Sequence, residues 1–129
     1  MIKLCKIFKL RTALVLEGII WGLWYAPLVV MGYNYGINYS FYPYSGFLAM
    51  CVFCLVIGAF LSFLTWKSSS IVPAVIAHGA LNAICSFGIN FTRSGGNTFL
   101  GPSPTGLIGG IPFIIVVFLC VWKSKEDEI

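Results

Sequence analysis

In this chain few side chains can do chemistry, and they fall into two short rows. Glu17, Trp21 and Tyr25 follow one another at intervals of four, so a helix puts all three on one face. His78 and Asn82 have the same spacing and share a face of a second helix. A neutral imidazole donates from one ring nitrogen and accepts at the other, while an amide side chain offers both functions. Such a pair could hold a water molecule and stabilise a developing oxyanion, as donors of this kind do in acyl transfer. It could equally be an interhelical hydrogen-bonded pair that only glues a bundle. Glu17, about 12 Å or two turns inward from Tyr25, also has two readings. It is a general acid or base held inside a helix, or an interface residue reaching toward the basic N-terminus. Cys51 and Cys54 have C-x-x-C spacing, but the second half of a zinc site is absent and the flanks are pure hydrocarbon. They read as small packing residues. His78 alone makes no metal site, so neither a metal nor a cofactor is expected.

The elements that must carry these residues are set by composition. Hydrophobic residues make up 59% of the 129 and charged residues 9%, against about 25% charged in ordinary soluble domains. Mean hydropathy is +0.94. Of the 8 basic and 4 acidic residues, only Glu17, Lys67 and Arg93 lie away from the two ends. So few charges cannot cover a water-facing surface. A soluble enzyme, a nucleic-acid binder and a disordered linker are therefore excluded, despite a net charge of +4.

Four stretches approach the roughly 20 apolar residues a membrane helix needs: about 12–31, 46–66, 71–89 and 105–122. In lipid the backbone must satisfy its own hydrogen bonds. The expectation is a single all-α membrane domain over 1–129, a polytopic bundle of about four transmembrane helices. The basic N-terminal segment precedes a run too long for a signal peptide and without an A-x-A-type site, so it reads as a retained helix. Lysines and arginines gather on the side of the two ends and of Lys67, with only Arg93 opposite. The positive-inside rule then places both termini in the cytoplasm of an integral, plasma-membrane protein.

The loops add detail. Residues 32–45 carry Tyr33, Tyr35, Tyr39, Phe41, Tyr42 and Tyr44 without a charge, and read as an aromatic belt at headgroup level. Ser70 is the expected N-cap of the third helix, with Pro73 in its first turn. The second outer loop holds the Gly95-Gly96 breaker and the Asn90-Phe91-Thr92 acceptor pattern. Gly18 with Gly22, and Gly106 with Gly110, give G-x-x-x-G spacings that let helices approach closely within the bundle.

Two of these stretches resemble a known family. Gly18-Ile-Ile-Trp-Gly-Leu-Trp-Tyr-Ala-Pro-Leu, followed by Gly32-Tyr-Asn-Tyr, is similar to the second motif region of the CAAX-protease and bacteriocin-processing family of intramembrane endopeptidases. Ser70-Ile-Val-Pro-Ala-Val-Ile-Ala-His-Gly-Ala-Leu-Asn resembles its third motif, H-x-x-x-N, and Gly101-Pro-Ser-Pro-Thr-Gly-Leu-Ile-Gly-Gly the lead-in to its last helix. The resemblance implies hydrolysis of peptide bonds in membrane-associated substrates by glutamate-activated water. It assigns His78 and Asn82 to the third motif and Trp21 to the aromatic position of the second.

The chain departs from the family pattern twice. Tyr25 occupies the second-motif histidine position, and a phenol donates a hydrogen bond but does not readily take up a proton near neutral pH. The 129 residues hold no E-E-x-x-x-R, so the chain reads as the C-terminal part of the family core. The expected function is an impaired or incomplete intramembrane endopeptidase, and the alternative is a non-catalytic relative serving bacteriocin self-immunity or regulation. A structural or transport subunit is a third reading, with no inverted repeat to favour transport. The expected partners are a lipid bilayer, a peptide or membrane-protein substrate and a second chain able to supply the missing glutamates, with no nucleic acid.

Overall fold

The computed structural model describes residues 6–88, 97, 99–101 and 103–123. Arg93, the Asn90 acceptor pattern and the Gly95-Gly96 breaker lie outside the described residues. Among the described residues the protein is all-helical: α1 (Leu10–Trp24), α2 (Ala26–Val30), α3 (Tyr44–Ser68), α4 (Val72–Gly88) and α5 (Ile111–Lys123). At 25 residues, α3 is long and apolar enough to cross a membrane, and Val72–Cys85 forms a shorter apolar helix.

Two expected boundaries change. The stretch 12–31 is not one helix, because α1 stops at Trp24 and α2 begins at Ala26. Pro27 has no N–H to continue the ladder and its ring crowds the carbonyl four residues back. The Tyr25 N–H accordingly bonds to the Gly22 carbonyl, one residue short of the α pattern. The last helix starts at Ile111 rather than near 105. Ahead of it, the Leu107 and Ile108 N–H groups bond to the Phe99 and Leu100 carbonyls. Gly106 therefore lies in a turn, where an added Cβ would come 2.6 Å from the Gly101 Cα. The Gly106–Gly110 spacing packs turn against turn and is not a helix–helix seam.

The other glycine pair does hold two helices together. An added Cβ at Gly18 would sit 2.4 Å from the Leu55 Cα, and one at Gly22 2.5 Å from the Cys51 Cα. Backbones that close leave no room for any side chain. Cys51 adds a long Sγ contact to the Ile19 carbonyl, at 3.9 Å. Helix α3 is the hub and contacts each of the other four helices, while α1 and α4 have no backbone-level contact with each other. Two buried clusters flank it, Val29, Tyr35, Ala49, Met50 and Cys54 in one and Leu14, Val56, Ala59 and Val117 in the other. The outward faces of α1, α4 and α5 are apolar, with Ile20, Trp24, Ile76, Ile84, Ile115 and Phe118 exposed. A bilayer solvates such a surface, and water does not.

The turn between α3 and α4 forms as the sequence suggests. Ser69 takes a left-handed conformation at the end of α3, and Ser70 Oγ accepts from the Val72 N–H at 3.2 Å. The aromatic loop behaves differently from a belt. Phe41 and Tyr44 are exposed, but Tyr35 is 2% exposed and its hydroxyl donates to the Thr105 carbonyl at 2.9 Å. Tyr39 stacks on Phe99 with centroids 5.0 Å apart, and Tyr35 meets Phe99 edge-on. Half of the loop turns inward because the segment before α5 offers it both a ring and a carbonyl.

Replacing Gly18 with Val should cost about 1–3 kcal/mol by overpacking. Gly79, where an added Cβ meets nothing within 4 Å, should accept Ala without loss. Thermal melting of the two variants in detergent checks the contrast. Burial holds the Tyr35 phenol above its ordinary pKa, so its contribution is intact below about pH 10 and lost as pH rises further. Tyr35→Phe should lower stability by about 1–3 kcal/mol at pH 7. It should also flatten the loss of melting temperature between about pH 10 and 12, where wild type must ionise a buried phenol.

Candidate functional site

The register that the two glycines impose decides where their neighbours go. With Gly18 and Gly22 pressed on α3, Glu17 and Trp21 line the flank of the α1–α3 contact. On the other side Ile71, just ahead of α4, and Ala74, Val75 and His78 on α4 line the same space, at the spacing i, i+3, i+4 and i+7. Between them α3 supplies a floor of Gly58, Leu61, Ser62, Thr65 and Trp66. The result is a groove of about 550 Å³, open along one side, within the range of small-molecule and cofactor sites.

The groove is mostly apolar with a few polar groups that converge on it. The Trp21 ring lies over Gly58, where an added Cβ would come 3.9 Å from the ring edge. Its plane stands at 90° to the His78 imidazole with centroids 5.6 Å apart, a favourable edge-to-face arrangement. This side-chain contact joins α1 to α4 across the groove. Glu17, one turn back along α1, is half-buried with its Oε2 buried. Ser62 is buried in the floor, and the Thr65 hydroxyl donates to the Leu61 carbonyl at 2.9 Å.

The residues singled out by spacing divide among three places. Trp21 and His78 meet in the groove, and Glu17 lines it with them. Asn82 lies one turn beyond His78 at an exposed position. The row Ala74, His78 and Asn82 thus passes from buried through half-buried to exposed. Tyr25 sits at the break between α1 and α2, stacked on Tyr33 at 6.4 Å and packed against the cluster of Val29, Met50 and Cys54. It does not line the groove. The floor residues Gly58, Ser62 and Thr65 escaped the sequence reading, although small or hydroxylated residues at i, i+4 and i+7 stand out in a helix otherwise rich in Leu, Phe and Val.

Comparison with known proteins adds one finding. A family model described as Rce1-like, type II CAAX prenyl endopeptidase, matches residues 2–84. The matched stretch holds Glu17, Trp21, Tyr25, His78 and Asn82. No curated protein and no solved structure matches the chain.

The contact between the Trp21 and His78 rings predicts a measurable coupling. In a double-mutant cycle, Trp21→Ala and His78→Ala should interact by about 0.5–1.5 kcal/mol. Tyr25→Ala paired with His78→Ala should stay below about 0.5 kcal/mol, as for residues without shared partners. Reversible unfolding in mixed micelles reads both numbers.

Proposed function

This chain belongs to the Rce1-like family of type II CAAX prenyl endopeptidases, and from that premise we propose that it is an intramembrane endopeptidase with an impaired site. Its groove receives a peptide segment of a membrane-associated substrate, and His78 donates to the oxyanion formed at the scissile carbonyl. The observation that carries this reading is the edge-on contact of Trp21 with His78. Two helices bring residues of two family-like motifs together at the wall of one groove. Apolar walls hold an extended or prenylated segment, while Ser62 and Thr65 give its backbone polar neighbours.

The membrane arrangement belongs to the same proposal. Helices α1 and α2 together give about 30 Å of helix, α4 about 26 Å and α5 about 20 Å, at 1.5 Å per residue. With α3 these make four crossings of the plasma membrane and put both termini in the cytoplasm. The partners are the bilayer, the peptide substrate and, for more than slow turnover, a second chain able to bring an E-E-x-x-x-R glutamate pair to the open side of the groove.

A specific observation favours a second reading, a non-catalytic relative that binds peptide for self-immunity or regulation. Tyr25 stands in the second-motif histidine position and packs against Tyr33 rather than lining the groove. The described wall therefore presents one imidazole. A fluorogenic peptide incubated with purified protein in detergent separates the two. The endopeptidase reading expects slow cleavage by wild type, loss in His78→Ala and about tenfold or greater gain in Tyr25→His, within the range for general acid–base groups. Peptide binding with no cleavage by any variant establishes the non-catalytic reading instead.

A further inference from the structure

Within the described residues the groove contains a carboxylate of its own, and the family-like motifs give it no role. Glu17 lies on α1 one turn before Trp21, so the two side chains share a face about 6 Å apart along the helix axis. Trp21 in turn holds the His78 ring, at 5.6 Å between centroids. Glu17 and His78 thus line one apolar groove from opposite walls. The groove that they line has a volume of about 550 Å³, far more than the roughly 30 Å³ share of one water molecule. A carboxyl group placed among apolar residues is costly to keep in a membrane helix, and a carboxylate that shares a groove with an imidazole is suited to general acid–base work.

We propose that Glu17 is a catalytic residue of this groove, acting as general base on the water that attacks a peptide carbonyl opposite His78. The inference rests on the endopeptidase reading above and deepens it at one residue. The Glu17 carboxylate takes a proton from water as the water oxygen bonds to the carbonyl carbon. The carbonyl π electrons move to oxygen, and the His78 N–H donates a hydrogen bond to that oxyanion. Collapse of the tetrahedral species re-forms the carbonyl and breaks the C–N bond. The proton held by Glu17 passes to the departing amine, and the carboxylate is regenerated. Hydrolysis consumes one water and needs no further reactant.

The test uses the full chain in detergent micelles with a fluorogenic peptide, and binding is read separately with a dye-labelled, N-methylated analogue of that peptide. The expected result is a fall in cleavage of about 100-fold or more in Glu17→Gln, with analogue binding and melting temperature unchanged. Glu17→Asp should restore part of the activity. Wild-type cleavage by Glu17→Gln, alongside loss in His78→Ala, overturns the role of Glu17 and leaves the endopeptidase reading standing. Analogue binding without cleavage by wild type or Tyr25→His overturns Glu17 as a base and leaves a peptide-binding groove. Absence of both binding and cleavage overturns this inference together with the reading on which it rests.

Discussion

Where α1 crosses α3, a methyl group at Gly18 would lie 2.4 Å from the Leu55 Cα, and one at Gly22 2.5 Å from the Cys51 Cα. That contact sets both the distance and the rotation of α1. Any turn of the helix about its axis would bring Ile19 or Leu23 into the seam and push the backbones apart. The positions just before the two glycines, Glu17 and Trp21, are therefore fixed on one flank of the seam. The organisation near His78 follows from this steric constraint, since Trp21 reaches across Gly58 to meet the imidazole edge-on. Dispersion between close backbones, rather than a hydrophobic driving force, holds such pairs together in lipid.

The groove that results is unusual in its balance. Its floor and walls are mostly apolar, yet a carboxylate, an imidazole, a serine and a threonine all reach it. Inside a membrane domain each such group has an energetic cost, and these four gather at one place. The aromatic group of Tyr35, Tyr39 and Phe99 is of another kind. There the buried Tyr35 hydroxyl ties one loop to the segment before α5. The two regions thus use their polar groups differently, one gathering them along an open groove and the other using a hydroxyl to tie down a loop.

Much of this was legible in the residues. The apolar runs announced helices, Gly18 and Gly22 announced a close crossing, and Ser70 announced the start of α4. Trp21 and His78 could be singled out because polar or amphipathic groups are so scarce between the ends of the chain. What the sequence left open depended on the third dimension. No spacing rule tells that the row through Glu17 on α1 and the row through His78 on α4 face each other across α3. Nor does i, i+4 spacing decide whether Asn82 stays in the groove, because the answer depends on how far α4 runs alongside α3. The Gly106–Gly110 pair misled for a related reason. Glycines four apart signal a helical seam only if the segment is helical, and here the local carbonyls of Phe99 and Leu100 capture the N–H groups first.

The contact pattern around α3 is that of a star rather than a ring. Among the described helices α4 meets only α3 at backbone level, joined to it by the short turn at Ser69 and Ser70, and touches α1 through the Trp21 and His78 rings. A change in the lean of α4 therefore acts on that ring contact and not on the Gly18–Gly22 seam. The width of the groove is set by the lean of a single helix on α3, pinned at the point where the Trp21 and His78 rings meet.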